Sequence, residues 1–177
     1  METFTNIREF LGLLFISGGI LMASELQVGQ SAPLFSLKNH QGDTFSLQDR
    51  KGLWTVLYFY PKDNTPGCTK QACAFRDSLS VIRNKNAEVF GISKDTVEKH
   101  QKFVQKYHLT FPLLADDKGD VMKAYGVSGF LGLFAKRWTF VIDPHLKITA
   151  ILRNVDPAMN AQEVSAEIEA QQKSLRP

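Results

Sequence analysis

Residues 53–60, Leu-Trp-Thr-Val-Leu-Tyr-Phe-Tyr, form an unbroken apolar run rich in aromatic and β-branched side chains, and Pro61 stops it. Such a run reads as a buried central strand, and a proline that offers no ladder N–H ends it. Lys-Asp-Asn-Thr-Pro-Gly-Cys68 follows. Pro66-Gly67 marks a turn, and Cys68 opens an expected helix with apolar Phe75, Leu79 and Ile82 at i, i+4 and i+7. A thiol at a helix N-terminus lies beside unpaired backbone N–H groups and the positive end of the dipole, and both favour thiolate over thiol. The chain has two cysteines, and the second, Cys73, lies five residues further along the same helix.

With 177 residues, 44 % hydrophobic and 22 % charged, the chain is long enough for a single folded domain with a substantial core. The net charge is +3 and the basic residues are scattered, with no cluster interleaved with aromatics, so nucleic-acid binding is not expected. Two cysteines in one local segment do not make a disulfide framework. In a reducing compartment such a pair is catalytic or metal-binding. His40, His100, His108 and His145 show no metal-ligand spacing with Cys68 and Cys73, so neither a metal nor a cofactor is expected.

Residues 1–23 are unlike the rest and are set apart from a domain spanning 24–177. Phe10–Met22 is apolar, too short for a typical membrane span and of the length of a signal-peptide core. Its flanks argue against a signal: Glu2 and Glu9 stand against a single Arg8, and Leu21 occupies a position where a small residue is preferred. The reading favoured here is that synthesis starts at Met22, which makes the protein cytoplasmic with no stable membrane association. A genuine segment would instead export or anchor it.

Further along, Leu34–Leu37 and Thr44–Leu47 flank Asn39-His-Gln-Gly-Asp and are expected to form a hairpin. Glu88–Ser93 is a second central strand. Asp95 with Glu98 resembles a capping box opening a helix to about Tyr107. Phe111–Ala115 is a short strand, Asp120–Tyr125 a short helix ending at Gly126, and Trp138–Asp143 with Ile148–Arg153 a hairpin. Asn160 with Glu163 caps a last helix whose inner face carries Val164 and Ile168. This order reads as a layered α/β domain with an N-terminal extension.

Pro61, Thr65 and Cys68 match the Pro-x-x-x-Thr-x-x-Cys motif of the peroxiredoxins. The longer run Tyr58-Phe-Tyr-Pro-Lys-Asp-Asn-Thr-Pro-Gly-Cys-Thr, with Cys73 and Phe75-Arg76-Asp77, resembles the peroxiredoxin Q group, also called bacterioferritin comigratory proteins. The likeness runs from about Val28 to about Ala170. It includes Arg137-Trp-Thr-Phe-Val-Ile-Asp143, similar to the strand that carries the family's active-site arginine. The resemblance implies a thioredoxin-like fold: a central mixed β-sheet flanked by helices, with an N-terminal β-hairpin extension. It also implies a cofactor-free thiol peroxidase acting on hydrogen peroxide and alkyl hydroperoxides, recycled by thioredoxin; a monomer is expected.

In that reading Cys68 is the nucleophile that becomes a sulfenic acid, and Cys73 is the thiol that resolves it as a disulfide. The Thr65 hydroxyl can both donate and accept, as an O–O–H group needs. Pro61 walls the pocket, and the guanidinium fork of Arg137 holds thiolate and peroxide together. Each residue also has a plainer role open to it: Cys68 or Cys73 as small core residues, Thr65 as a turn cap, Pro61 as a strand end, Arg137 as a solvated strand end. Two positions depart from the family pattern. Gln71 stands where Glu is common, and Trp138 follows Arg137 where smaller or polar residues are common. The apolar, Gly-rich loop 126–135 reads equally as a substrate or reductant surface and as a packed connection. A thioredoxin-like disulfide oxidoreductase is the alternative, though Cys-x-x-x-x-Cys is not the usual Cys-x-x-Cys. A non-enzymatic thioredoxin-like interaction module is a third reading.

Overall fold

The computed structural model describes residues 25–174, so the apolar segment set apart above lies outside the described residues. Among those described, no helix is long and apolar enough to cross a membrane. The elements are β1 (Ser36–Asn39), β2 (Thr44–Ser46), β3 (Trp54–Phe59), α1 (Pro66–Arg83), β4 (Ala87–Ser93), α2 (Val97–Tyr107), β5 (Leu113–Ala115), α3 (Asp120–Ala124), β6 (Trp138–Ile142), β7 (Ile148–Arg153) and α4 (Asn160–Ser174). Strands pair in the order β2-β1-β5-β4-β3-β6-β7. β3, β4 and β5 run parallel, and β6 and β1 are antiparallel to their inner neighbours, which makes the sheet mixed.

β3 is buried along its whole length because it lies between β4 and β6 and is covered on both faces. Its side chains alternate: Val56, Tyr58 and Tyr60 join one core with Phe75, Leu79 and Ile82 of α1, Phe103 of α2, and Val164 and Ile168 of α4. Leu57 and Phe59 point the other way, into a core with Val121 and Met122 of α3 and Phe140 and Ile142 of β6. On α1 the buried residues Cys68, Ala72, Phe75, Leu79 and Ile82 are spaced four, three, four and three, a single helical stripe. Cys68 is therefore on the face that packs on the sheet, and Cys73, half-buried, is off it.

Several local expectations shift. The N-terminal hairpin forms, with Leu37 opposite Phe45, but its first strand starts at Ser36 rather than Leu34. Pro66 and Gly67 are the first residues of α1 and not a preceding turn; Pro at the first helical position gives up an N–H that would have no partner there. The turn is made instead at Asn64, whose φ of 59° is a left-handed conformation that asparagine tolerates. The N-cap position of α2 is Thr96 rather than Asp95, it makes no side-chain cap bond, and the side chain of Asp95 is engaged elsewhere. The Asn160 side chain points into the protein rather than capping α4.

Candidate active site

The C-terminal end of β3 leads through Tyr60 and Pro61 into a short turn, and Thr65 then starts α1 as its N-cap residue. Thr69 N–H bonds the Thr65 carbonyl at 2.9 Å. The N–H groups of Gly67 and Cys68 thus fall in the first turn, where an α-helix offers donors with no carbonyl behind them. Cys68 is buried, 1 % exposed. Thr65 is half-buried, and its hydroxyl donates to the Lys62 carbonyl at 3.1 Å, which leaves the oxygen's lone pairs free to accept. Pro61 is also half-buried, beside the same turn.

Arg137 precedes β6, the other neighbour of β3, and reaches across to α1. Its Nη2 donates to Cys68 Sγ at 3.3 Å and its Nη1 to Gln71 Oε1 at 2.6 Å. A guanidinium is planar, so two bonds from its two terminal nitrogens fix its orientation as well as its position. Gly67 makes the approach possible: a Cβ there would lie 3.3 Å from Arg137 Nη2. Gln71 is itself held from behind. Its Nε2 donates to Asn160 Oδ1 at 2.8 Å, and the same oxygen accepts from Thr139 Oγ1 at 2.9 Å. Asn160 Nδ2 is buried without a partner among the described residues.

Of the sequence-predicted residues, Cys68 and Arg137 meet at the N-terminus of α1, which Thr65 begins, and Pro61 lies four residues before Thr65 in the chain leading into it. Cys73 lies further along α1, as a free thiol. Sequence reasoning missed Asn160 and Thr139. The signal for Thr139 is its place two residues after Arg137 on an otherwise apolar strand. Asn160 carried a misleading signal, since Asn three residues before Glu has the pattern of a cap. It also missed the support beneath the turn: Tyr60, Asp63 and His100 are buried and mutually bonded.

Trp138 settles on the far side of the sheet from Cys68, in the core with Phe140, with Arg153 and Lys136 over its ring at 4.7 and 5.4 Å. The 126–135 loop is both packed and open: Val127 and Ala135 at its ends are buried in the core, while Phe130, Leu131 and Leu133 at its tip are 70, 79 and 65 % exposed. Below the site, burial pushes the Tyr58 phenol well above its ordinary range, as it does Tyr60.

The AhpC/TSA family model matches residues 28–151. The peroxiredoxin bcp of Coxiella burnetii is 47 % identical over 132 residues, covering 71 % of this chain and 87 % of that one. The chloroplastic peroxiredoxin Q of Arabidopsis thaliana is 46 % identical over 135 residues; the match covers 76 % of this chain and 62 % of that longer one. Among solved structures, peroxidoxin BcpB from Mycobacterium tuberculosis superposes with a TM-score of 0.78 at 34 % identity, over 86 % of this chain and all (100 %) of that one. PrxQ from Xylella fastidiosa gives 0.79 at 32 % identity, over 84 and 99 %. The mixed sheet and its helices are thus the thioredoxin-like fold of these proteins. The chain belongs to the AhpC/TSA family and is, within it, a peroxidase of the peroxiredoxin Q and bacterioferritin comigratory type.

Proposed function

We propose that this peroxidase reduces hydrogen peroxide and organic hydroperoxides through Cys68, with Cys73 as the resolving thiol and thioredoxin as the reductant. The observation that carries the reading is the 3.3 Å contact of Arg137 Nη2 with Cys68 Sγ at the N-terminus of a helix. The Cys68 thiolate attacks the near oxygen of the peroxide and the O–O bond breaks. The far oxygen leaves with the bond's electron pair and, once protonated, is water or an alcohol. Sulfur is oxidised to the sulfenic acid. Charge builds on two oxygens during this step, and the Arg137 fork with the first-turn N–H groups is placed to offset it. The lone pairs of Thr65 accept the peroxide's hydrogen, and Pro61 supplies an apolar wall with no competing donor.

Cys73 then attacks the sulfenic sulfur as a thiolate and displaces hydroxide, which takes up a proton to become water, and a Cys68–Cys73 disulfide remains. Two electrons from a dithiol protein return both thiols. We read the enzyme as a monomer of the cytoplasm, on the expectation that synthesis starts at Met22; the mass of the N-terminal peptide of the native protein tests that start.

Intact mass tests the chemistry. One equivalent of hydrogen peroxide removes two hydrogens from the reduced wild type and adds one oxygen to Cys73→Ser. No change within minutes in either protein overturns the assignment of Cys68.

A further inference from the structure

Two buried amides stand in series behind Arg137, and their orientations are coupled. A guanidinium only donates, so Gln71 must turn its Oε1 toward Arg137 Nη1, which it meets at 2.6 Å. The Gln71 amide nitrogen is then sent to the opposite end and needs an acceptor there. Gln71 and Asn160 are both completely buried (0 % exposed), so water does not serve. Asn160 Oδ1 is that acceptor, 2.8 Å from Gln71 Nε2. An asparagine could equally present its nitrogen, and two amide nitrogens would then face each other. Thr139 weighs against that arrangement, because its hydroxyl donates to the same Oδ1 at 2.9 Å. Thr139 and Gln71 thus both donate to Asn160, while Arg137 donates to Gln71 and to Cys68.

This polarity leaves Asn160 Nδ2 buried with no partner among the described residues. A buried donor without a bond is unfavourable, so what the fold keeps at residue 160 is the oxygen. Asn160 is also firmly placed. It opens α4, its N–H donates to the Asp156 carbonyl at 3.0 Å, and Ala161, Val164 and Ile168 lie in the same core as Phe75 and Leu79 of α1. Pro157, just before α4, comes within 3.8 Å of where a Cβ on Gly67 would stand. The start of α4 therefore lies along the first turns of α1, at Gly67 and again at Gln71. Gln71 stands between Cys68 and Cys73, which are five residues apart on that helix. A disulfide at this spacing does not close on an intact helix, and opening the stretch carries Gln71 away from Asn160.

We propose that Asn160, aimed by Thr139, is a positioning residue of the peroxidase site: it holds the Gln71 amide so that the Arg137 fork stays on Cys68, and it must release that amide before Cys73 can reach Cys68. One hydrogen bond then acts on the two steps in opposite directions. While it holds, the peroxide meets an oriented guanidinium. Once it breaks, the state in which α1 is open gains population and the disulfide forms faster.

This rests on the reading of Cys68 as the reacting thiol and Cys73 as the resolving thiol, and the measurements keep that reading separate. Rapid-quench intact mass with hydrogen peroxide reads both steps: loss of the reduced mass, whose rate scales with peroxide, and gain of the disulfide mass, whose rate does not. Wild type is compared with Asn160→Leu, Thr139→Val and Thr139→Ser, each shown to be folded by circular dichroism. Asn160→Leu is expected to slow the first step about 10- to 100-fold, the scale of an ångström-level misplacement. It should speed the second about 2- to 10-fold, the scale of one lost hydrogen bond. Thr139→Val moves both steps the same way by less, and Thr139→Ser, which keeps the hydroxyl, restores them. In Arg137→Lys no fork is left to orient, so adding Asn160→Leu slows the first step no further. If Asn160→Leu fails to fold, the Thr139 variants, with Thr139→Val placed in Arg137→Lys, decide alone.

An unchanged first step in Asn160→Leu, or a loss that multiplies in full with that of Arg137→Lys, overturns the positioning role. A second step that is unchanged or slower overturns the release. Thr139→Ser as slow as Thr139→Val removes Thr139 from the proposal. If the wild type is not oxidised at Cys68 at all, the site assignment has failed, and the inference falls with it. If Cys68 is oxidised but forms no disulfide with Cys73, the release falls, and the first step still decides the positioning.

Discussion

Arg137 and Gln71 meet through Nη1 and Oε1 at 2.6 Å, so the guanidinium that reaches Cys68 is oriented by a neutral amide and keeps its full positive charge. Gln71 is completely buried and passes the constraint on to Asn160. Gln71→Leu would strip an acceptor from Arg137 and a donor from Asn160, at about 1–3 kcal/mol for each group left unpaired. A lower urea midpoint and slower oxidation of Cys68 are expected together. Gln71→Glu differs. The Asn160 amide can turn so that its unpartnered Nδ2 donates to the new carboxylate, so the fold holds. The added negative charge opposes the thiolate, and oxidation at neutral pH slows. An unchanged rate in Gln71→Glu would mean that charge at residue 71 is not felt at Cys68.

Arg137→Lys should fail as a conservative change. A single ammonium cannot hold the fixed fork that spans Gln71 and Cys68. The expected loss in the second-order rate with hydrogen peroxide is roughly 100- to 1000-fold, the scale of removing one preorganised transition-state donor. Gly67→Ala is the gentler companion: its Cβ would press on Nη2 from 3.3 Å, so the rate falls while the urea midpoint hardly moves. Stopped-flow oxidation and equilibrium unfolding measure the two effects separately. A full rate in the lysine variant would argue that the arginine acts only as a positive charge.

The fold was legible where one pattern dominates. The run 54–59 became a strand buried throughout, and Phe75, Leu79 and Ile82 line one helix face, because period and burial agree there. Cys68 and Arg137, which the fold brings into contact, were both singled out by the motif and the strand that resembles the family's. What stayed hidden is what holds them. Asn160 is 89 residues from Gln71, and His100 is 37 from Asp63, so no local spacing announces either pair. The caps at Asp95 and Asn160 were misread for the same reason: side chains suited to capping were recruited by distant partners with stronger claims.

Tyr58 is central in β3 and completely buried, and its hydroxyl has no partner among the described residues. Its ring stacks on Tyr60 and Phe75 at centroid distances of 5.2 and 4.8 Å. Phenylalanine keeps that stacking and removes a buried polar group that makes no bond. Tyr58→Phe should therefore stabilise the protein by about 1–2 kcal/mol in urea unfolding, the lower part of the penalty for an unsatisfied group. A destabilised variant would reveal that the hydroxyl has a partner in solution.

Glu169 on α4 bonds Lys85 at 2.8 Å and Lys173 at 2.7 Å, and these two lysines hold its carboxyl down to about 2 from an ordinary 4.5. A depressed folded value means that the stabilisation is present above pH 4.5 and is lost as pH falls toward 2. The carboxylate is exposed, so screening by salt keeps the effect small. Glu169→Gln should lower the melting temperature slightly at neutral pH and low salt. The difference should shrink in high salt and close as the pH approaches 2. A gap that persisted in acid would trace the effect to lost packing rather than charge.

Cys68 and Cys73 sit on one continuous helix, Pro66–Arg83, and that helix forbids their bond. Five residues rise about 7.5 Å and turn about 140°, which puts the two Cα atoms roughly 8.6 Å apart on the helix cylinder. A disulfide closes only when they come within about 7 Å. If Cys73 resolves Cys68 as proposed, the first turns must open during each cycle, and their make-up lets them open at modest cost. Thr65 makes no side-chain cap bond, the first turn carries no acidic residue, and Pro66 contributes no N–H. On one side the Asp63 anchor holds the chain, and on the other Phe75, Leu79 and Ile82 keep the rest of α1 on the sheet. Hydrogen exchange of the peroxide-treated protein should show lost protection confined to about residues 66–74, with the remainder of α1 unchanged. Cys73→Ser, oxidised to the sulfenic acid but unable to close the ring, should keep its protection. An oxidised wild type with the disulfide proven by mass and α1 fully protected would contradict the geometry.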